Sequence, residues 1–194
     1  MNYWIDFMAE KTFVLIKPDG VYRALIGAVI AKFESAGLKV VALKMVTPDQ
    51  ELAGKHYMAD ETWMKSVGVK TKAAYKEKGI NVNETELEIG KRIRNQLLSY
   101  LTEGPVVAMV IEGNDAIYVT RKIVGGTEPR KADPSSIRGM YSSDSYEAAD
   151  KSKRAVKNIL HASEDPATAE REISVWFKKS EITSYKRADQ HHIY

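Results

Sequence analysis

A run of six apolar residues between two chain-breaking sequences limits the possible folds more than any other feature of this chain. The run covers residues 106–111, follows Gly104-Pro105 and stops shortly before Gly113. It is too short for a buried helix and is rich in valine, which favours extended backbone. We therefore predict that residues 106–111 form a central strand of a sheet.

Shorter apolar runs alternate with segments of helical periodicity over the rest of the chain. Ile26, Val29, Ile30 and Phe33 recur at the spacing of one helix face, and Gly37 follows where a helix would end. The predicted strands are residues 12–16, 38–46, 106–111 and 156–161. The predicted helices outside the charged middle of the chain are residues 26–36, 48–57, 114–124, 146–154 and 166–177. No internal repeat is visible, so we expect a single domain over the 194 residues.

Polar residues set the predicted boundaries of several elements. Thr47 has the position of an N-cap, with Gln50 three residues later as in a capping box, and Asn114 is placed to cap the helix after the central strand. A Pro-Asp-Gly sequence after Lys17 predicts a turn at the end of the first strand. Residues 127–139 also have the composition of a loop.

Residues 58–103 are charged and helical in pattern. Gly79 divides the stretch into two predicted helices, and Asn83 with Glu86 has the spacing of a capping pair at the start of the second. The predicted apolar stripes are Trp63, Val67 and Ala74 on the first helix, and Ile89, Ile93, Leu97 and Leu101 on the second. Disordered segments seldom repeat apolar residues every four positions, so we expect this stretch to be folded.

The order of the predicted elements is typical of an α/β sandwich on a split β-α-β-β-α-β unit, the ferredoxin-like arrangement. Four antiparallel strands would form one sheet covered by helices, with further helices inserted. A doubly wound sheet is the alternative, and it would carry a glycine-rich phosphate loop. The sequence contains no G-x-x-x-x-G-K-[ST], no G-x-G-x-x-G after a strand and no H-E-x-x-H. We therefore expect the split unit.

Composition excludes several classes of protein and site. The absence of cysteine excludes disulfide bonds, thiolate zinc sites and a cysteine nucleophile. The 29 Lys and Arg against 26 Asp and Glu leave a net charge of +3, which is too weak to indicate nucleic-acid binding. No apolar run has the length of a membrane span, and residues 1–8 lack the pattern of a secretory signal. We expect a soluble protein of the cytoplasm.

Histidine is the remaining candidate for a nucleophile near neutral pH. His161 ends a predicted strand just before a helix start, where α/β folds expose functional side chains, although a structural role is the more common one for a single histidine. His56 is expected to be structural. Lys17, Arg121 and Arg138 would singly be surface residues, but together with His161 they match the charges that a phosphate substrate requires.

Five strings, in order along the chain, resemble the nucleoside diphosphate kinase family. They are VLIKPDGV at residues 14–21, GPVVAM at 104–109, SIRG at 136–139, NILHAS at 158–163 and AEREISVWF at 169–177. The resemblance leaves residues 58–103 and 140–157 poorly matched. It therefore implies a helical insertion at 58–103 and a second, shorter insertion at 140–157.

The resemblance implies a ping-pong enzyme that moves the γ-phosphoryl group of a nucleoside triphosphate to a nucleoside diphosphate through a phosphohistidine at His161. It implies that Mg²⁺ enters with the nucleotide, without a metal site on the protein. Glu172 would fix the tautomer and orientation of His161. The implied catalytic residues are Lys17, His161, Ser163 and Glu172, and the implied nucleotide-binding residues are Lys17, Tyr57, Arg121, Thr127, Arg138 and Asn158.

The chain departs from the family pattern at the wall that would contact the base. The family usually places a stacking aromatic residue soon after the His-Tyr pair, where this chain offers Trp63 and Tyr75. Met140 stands where the family often has an acidic residue. A catalytically silent relative acting as a scaffold and a nucleic-acid-binding module remain alternatives. Retention of the motif residues disfavours the first, and the lack of a basic stripe with interleaved aromatic residues disfavours the second.

The resemblance also implies a homo-oligomer, either a tetramer or a hexamer. The short C-terminal segment, residues 184–194, carries Tyr185, Ile193 and Tyr194. We expect these apolar groups to need a second copy of the chain for their burial.

Overall fold

A computed structural model describes residues 9–193, in which four strands form one antiparallel sheet. Residues 1–8, in which we expect no secretory signal, and Tyr194 lie outside that range. The strands are β1 (Glu10–Ile16), β2 (Lys39–Val46), β3 (Val106–Gly113) and β4 (Leu160–Ala162). Their order in the sheet is β2-β3-β1-β4. This confirms the predicted ferredoxin-like arrangement.

Helices cover both faces of the sheet. They are α1 (Pro18–Tyr22), α2 (Ile26–Ser35), α3 (Gln50–His56), α4 (Glu61–Glu77), α5 (Glu86–Leu101), α6 (Ala116–Val124), α7 (Ile137–Tyr141), α8 (Tyr146–Lys151), α9 (Pro166–Trp176) and α10 (Gln190–Ile193). Single 3₁₀ turns lie at Pro129–Lys131 and Lys179–Glu181. Within residues 9–193, no helix is both long and apolar enough to span a bilayer.

Alternate residues of the central strands fill two cores, one on each face of the sheet. The core beneath α3, α5 and α9 includes Phe13, Leu15, Ala53, Leu101, Ala108, Val110 and Trp176. The core beneath α2 and α6 includes Val14, Ile16, Val29, Phe33, Met109, Ile111 and Val124. Every residue of β3 is buried, which confirms the central strand predicted at residues 106–111.

Three predicted helix starts are wrong by one or two residues. The predicted caps Thr47, Asn83 and Asn114 are replaced by Asp49, Thr85 and Asp115. In α3, the Asp49 carboxylate accepts a hydrogen bond from the Leu52 backbone N–H at 2.8 Å. In α6 the cap side chain makes no such bond, and Glu10 of β1 accepts from the Ile117 N–H at 2.8 Å instead. A carboxylate remote in sequence thus supplies what the local cap does not.

Several other boundaries also differ from the prediction. The turn after Lys17 contains α1, and the predicted loop 127–139 contains a 3₁₀ turn and the start of α7. The fourth strand has three residues instead of the six predicted at 156–161. Ile159 has a φ of 70°, which is incompatible with a strand and delays the start of β4.

The α4 and α5 helices pack against each other at unusually short range through two glycines. An ideal Cβ on Gly68 would lie 1.8 Å from the carbonyl oxygen of Glu86, and one on Gly90 would lie 2.1 Å from that of Met64. The buried residues of α4 are Met64, Gly68 and Tyr75, whereas the predicted stripe Trp63, Val67 and Ala74 is only half-buried. The contact is therefore shifted by one residue from the predicted stripe.

Replacement of Gly90 by alanine should destabilise the protein by about 1–3 kcal/mol, because the added Cβ would collide with backbone that cannot rotate away. Gly27→Ala is a matched control, since a Cβ there meets no atom within 4 Å. That variant should be neutral or more stable by up to about 1 kcal/mol. Urea unfolding monitored by circular dichroism would measure both. Equal stability of Gly90→Ala and wild type would contradict so close a crossing.

Candidate active site

His161, Ser163 and Glu172 meet where β4 leads into α9. His161 lies on β4, paired with Leu15 of β1, and Glu172 lies within α9. His161 Nε2 is 2.8 Å from Glu172 Oε2, and the Ser163 hydroxyl donates to the same oxygen at 2.6 Å. The imidazole is thereby held at one edge, while 23% of its side chain remains exposed.

The ionisation of Glu172 determines which nitrogen of His161 is reactive. Burial raises the pKa of Glu172, but the neighbouring His161, His56 and Ser163 outweigh burial and lower that pKa to about 2. An ionised carboxylate only accepts hydrogen bonds, so Nε2 of His161 carries the proton. In the neutral ring, Nδ1 then holds the free lone pair and is the nucleophilic atom.

His56 is a site residue that the sequence analysis missed. Its ring centroid lies 4.7 Å from that of His161, with the two rings nearly perpendicular. Trp176 donates its indole N–H to His56 Nδ1 at 3.4 Å. Burial lowers the pKa of His56 well below its usual value, and the electrostatic effect of the neighbouring His161 acts in the same direction. A neutral histidine therefore packs beside His161; the one sequence signal for it was its position directly before Tyr57.

Lys17 leaves the end of β1 and is buried, with only 4% of its surface exposed. Its ammonium donates to Asn158 Oδ1 at 2.8 Å, and Asn158 Nδ2 donates to the Thr127 carbonyl oxygen at 3.0 Å. Burial and the charge of Arg138 lower the pKa of Lys17 to about 7, with Asp19 acting in the opposite direction. Lys17 is therefore a cation whose charge is only partly compensated in the free protein.

Arg138 is tied to the backbone around Asn158. Its guanidinium donates to the carbonyl oxygens of Leu160 at 2.7 Å, Gly125 at 2.9 Å and Asn158 at 3.3 Å. Burial and the nearby charge of Arg121 lower the pKa of Arg138 to about 10. Since a guanidinium has five N–H groups, two remain for a ligand after these three bonds.

Three further predicted site residues lie on or after other helices. Arg121 on α6 and Thr127 beyond it are exposed, whereas Tyr57 after α3 is half-buried. Burial and the charge of Glu172 raise the pKa of Tyr57, so its hydroxyl stays neutral. Arg94 of α5 donates to the Tyr57 carbonyl oxygen at 2.8 Å. Asn158 thus joins Lys17, Thr127 and Arg138, and Glu172 joins His161 and Ser163. Arg121 lies further out, in a surface depression that it shares with Glu10, Asp115 and Asp165.

The structure does not place Tyr75 where a base could stack on it. Tyr75 is buried between α4 and α5, and its hydroxyl interacts with Arg92 and Asp150. Two other residues that the sequence analysis missed, Asp19 and Tyr100, lie closer to the site. Tyr100 of α5 donates a short hydrogen bond to Asp19 Oδ1. The helix pair thus reaches the site through the end of α5.

Comparison with known proteins identifies relatives over nearly the whole chain. The family model described as nucleoside diphosphate kinase matches residues 10–68 and 82–182. A nucleoside diphosphate kinase of Pyrobaculum aerophilum is 45% identical over 178 residues, covering 89% of this chain and 97% of that protein. One of Borreliella burgdorferi is 37% identical over 183 residues, covering 94% and 96%.

Solved structures agree with these sequence relatives. The crystal structure of an NDP kinase from Pyrobaculum aerophilum matches with a TM-score of 0.88 at 43% identity, covering 91% of this chain and 100% of that one. A transition-state mimic of the Borrelia burgdorferi nucleoside-diphosphate kinase, with bound vanadate and ADP, matches with a TM-score of 0.78 at 36% identity, covering 95% and 96%. The likeness therefore extends to fold and sequence together.

An anion bound between Lys17 and Arg138 should bind more weakly as the pH rises above 7. The free protein loses the Lys17 proton near pH 7, but a bound anion retains it, so affinity should fall by up to about tenfold per pH unit. Sulfate is a suitable probe because its charge is constant between about pH 6 and 9. Equilibrium titration at several pH values would measure this. Lys17→Met should lose the dependence, and a pH-independent wild type would contradict the lowered pKa.

Proposed function

The chain belongs to the nucleoside diphosphate kinase family and is a phosphotransferase, and we propose that it transfers the γ-phosphoryl group through His161. One observation carries this proposal: the 2.8 Å contact of Nε2 with the ionised Glu172, which leaves Nδ1 with the free lone pair. The imidazole is partly exposed, and a neutral imidazole is a good nucleophile. The Ser163 hydroxyl donates to the same oxygen of Glu172 and thereby keeps the carboxylate aligned with His161.

Transfer proceeds as two displacements at the same histidine. In the first, His161 Nδ1 forms a bond to the γ-phosphorus, the bond from that phosphorus to the β–γ bridging oxygen breaks, and a nucleoside diphosphate leaves. In the second, a terminal β-phosphate oxygen of another nucleoside diphosphate attacks this phosphorus and the N–P bond breaks. Nε2 keeps its proton against Glu172 throughout, so the imidazole returns to its starting state.

The cations around His161 stabilise the charge of the transferring group. Lys17 and the two free N–H groups of Arg138 approach the phosphates from the buried side, and Arg121 approaches from the exposed side. We expect Thr127, Tyr57 and Asn158 to complete the nucleotide site, with Asn158 contacting the ribose hydroxyls. Because Lys17 and Arg138 have lowered pKa values, an anionic substrate relieves their mutual repulsion on binding.

Magnesium enters with the nucleotide as part of the substrate. Asp19 acts on the charge of Lys17, Glu172 contacts His161, and both carboxylates are already engaged. Asp19 accepts from Tyr100 and from the Ile159 N–H, while Glu172 contacts His161, Ser163 and Arg171. Phosphate oxygens and water would therefore supply the ligands of the ion. Nucleoside phosphates are abundant in the cytoplasm, which supports a cytoplasmic location for the enzyme.

The helical insertion at residues 58–103 and the shorter one at 140–157 support the nucleotide site within a single domain. The family model leaves residues 69–81 unmatched, a part of the first insertion that lies in α4 and the turn after it. In the second insertion, Asp144 accepts from the Lys157 N–H at 2.7 Å and pairs with Arg154 at 2.6 Å. Its carbonyl oxygen also accepts from the Arg130 N–H at 3.1 Å. These bonds hold the chain just before Asn158 and shortly after Thr127.

The enzyme is a homo-oligomer in this proposal, and the apolar groups of Tyr185 and Ile193, which are 42% and 36% exposed in the C-terminal segment, agree with it. Thr183 donates its N–H to the Val41 carbonyl oxygen at 2.8 Å, and the Tyr185 hydroxyl donates to the Val40 carbonyl oxygen at 3.3 Å, so the segment is also attached to β2 of its own chain. Tyr194 lies outside the described residues. On the edge strand β2, however, Leu43 and Met45 are 49% and 57% exposed. Apolar groups on a sheet edge favour association with a second copy of the chain.

Replacement of His161 by asparagine should abolish phosphoryl transfer. Wild-type protein incubated with γ-labelled ATP should acquire label that acid releases, since phosphohistidine is acid-labile, and should pass this label to an added nucleoside diphosphate. His192→Asn, at an exposed C-terminal histidine, is the matched control and should be labelled like wild type. Substantial labelling and transfer by His161→Asn would refute the assignment of the nucleophile.

Light scattering at micromolar concentration should give the mass of a tetramer or hexamer. Leu43→Glu combined with Met45→Glu should reduce that mass, because charges opposite an apolar surface oppose association. Tyr118→Glu provides a control at an exposed aromatic residue on α6. A wild-type monomer would overturn the proposal of an oligomer, and an unchanged mass in the double variant would exclude β2 as the contact.

A further inference from the structure

The backbone just before His161 adopts a conformation that its own sequence disfavours. Ile159 has a φ of 70°, and the Leu160 N–H donates to the Asn158 carbonyl oxygen at 2.8 Å. A hydrogen bond between residues two apart across a positive φ defines a γ-turn, which is a strained form. It is rarer still for a β-branched residue. Because the turn separates Asn158 from His161, its geometry sets the relation between these two side chains.

The backbone N–H and the carbonyl oxygen of Ile159 both bond to the segment that follows β1. The Ile159 N–H donates to Asp19 Oδ2 at 3.1 Å, and its carbonyl oxygen accepts from the Lys17 N–H at 2.7 Å. Gly20 allows this close approach, since a Cβ there would lie 3.0 Å from the Ile159 oxygen. A strained turn persists only where its surroundings fix it, and here the Asp19 carboxylate is the side chain that does so.

Tyr100 fixes the Asp19 carboxylate in turn. Its hydroxyl donates to Asp19 Oδ1, the oxygen not used by Ile159, and both side chains are buried. Burial and the charge of Asp19 raise the pKa of Tyr100, so the hydroxyl remains a donor across the physiological range. The Lys17 ammonium lies 5.2 Å from the centre of the Tyr100 ring. Tyr100 therefore contacts both the anchor of the turn and a cation of the site.

We propose that Asp19 and Tyr100 are positioning residues, which hold the γ-turn at Ile159 and thereby aim His161 at the phosphoryl group. This inference rests on the proposed role of His161. Tyr100 acts through Asp19, and Asp19 acts through the Ile159 N–H. Neither residue exchanges atoms with the substrate. Their effect should therefore appear in kcat, with little change in the KM for the nucleotide.

A double-mutant cycle tests the order of this chain of contacts. Tyr100→Phe, which removes only the hydroxyl, should lower kcat about tenfold, and Asp19→Ala should lower it more. The double variant should match Asp19→Ala, because Tyr100 has nothing left to act through. Tyr22→Phe is the matched control: its hydroxyl donates to the Glu103 carbonyl oxygen, is exposed, and should not affect kcat. An unchanged kcat in Tyr100→Phe, or additive losses in the double variant, would overturn the proposal.

Amide hydrogen exchange gives a readout that does not depend on catalysis. In Tyr100→Phe the Ile159 amide should exchange at least tenfold faster than in wild type, while the Val110 amide in the centre of β3 stays unchanged. Faster exchange at both amides would indicate general destabilisation and would contradict a local positioning role. If wild type fails to label His161 but Ile159 responds as expected, the proposed nucleophile is wrong and the anchor of the turn still stands. An unchanged Ile159 amide would reject the anchor itself.

Discussion

The buried guanidinium of Arg138 is the interaction on which the site depends, because it joins the end of α6 to both sides of the turn before His161. A buried charge is costly unless its donors are satisfied, and here the carbonyl oxygens of Gly125, Asn158 and Leu160 accept from it. Carbonyl dipoles satisfy three of the five donors without neutralising the charge. The site therefore keeps a net positive field that a carboxylate partner would have removed.

The positive field of Arg138 destabilises the charged form of Lys17. Its pKa of about 7 means that burial and Arg138 together oppose a charge that solvent would otherwise support. Asp19 acts against this lowering of the Lys17 pKa. Its carboxylate also accepts a hydrogen bond from the Ile159 N–H, so its position is not set by Lys17 alone. A bound phosphate compensates both cations at once. The free protein thus retains an unfavourable repulsion between Lys17 and Arg138 that a bound anion relieves. Functional sites commonly lower the stability of a protein in this way.

The fold followed from local pattern because its main elements obey simple periodicities. Residues 106–111 are apolar at every position and form the buried β3, and the helix stripe from Ile26 to Phe33 packs as α2 on one face of the sheet. The helix caps were displaced because several residues near each start can accept a bond, and tertiary contacts choose among them. In α6 the Ile117 N–H donates to Glu10, which is 107 residues away in the sequence.

The sequence indicated some residues of the candidate site but not its geometry. The motif strings located His161, Lys17 and Arg138, since these residue types carry the chemistry. No local signal predicts a positive φ at Ile159, because isoleucine disfavours it and the groups that impose it lie 140 residues earlier in the chain. The burial of Lys17 and the approach of His56 likewise depend on long-range packing.

The α4–α5 pair has a mechanical consequence for this geometry. Two glycines let its helices approach to backbone contact, so the pair is stiff and α5 cannot shift without moving α4. From α5, Arg94 holds the Tyr57 carbonyl and Tyr100 holds the Asp19 carboxylate. These bonds act on the two segments that follow α3 and β1, and each segment carries a predicted nucleotide ligand. The α4–α5 pair therefore sets the spacing between Tyr57 and Lys17, and this charged part of the chain supports the candidate active site.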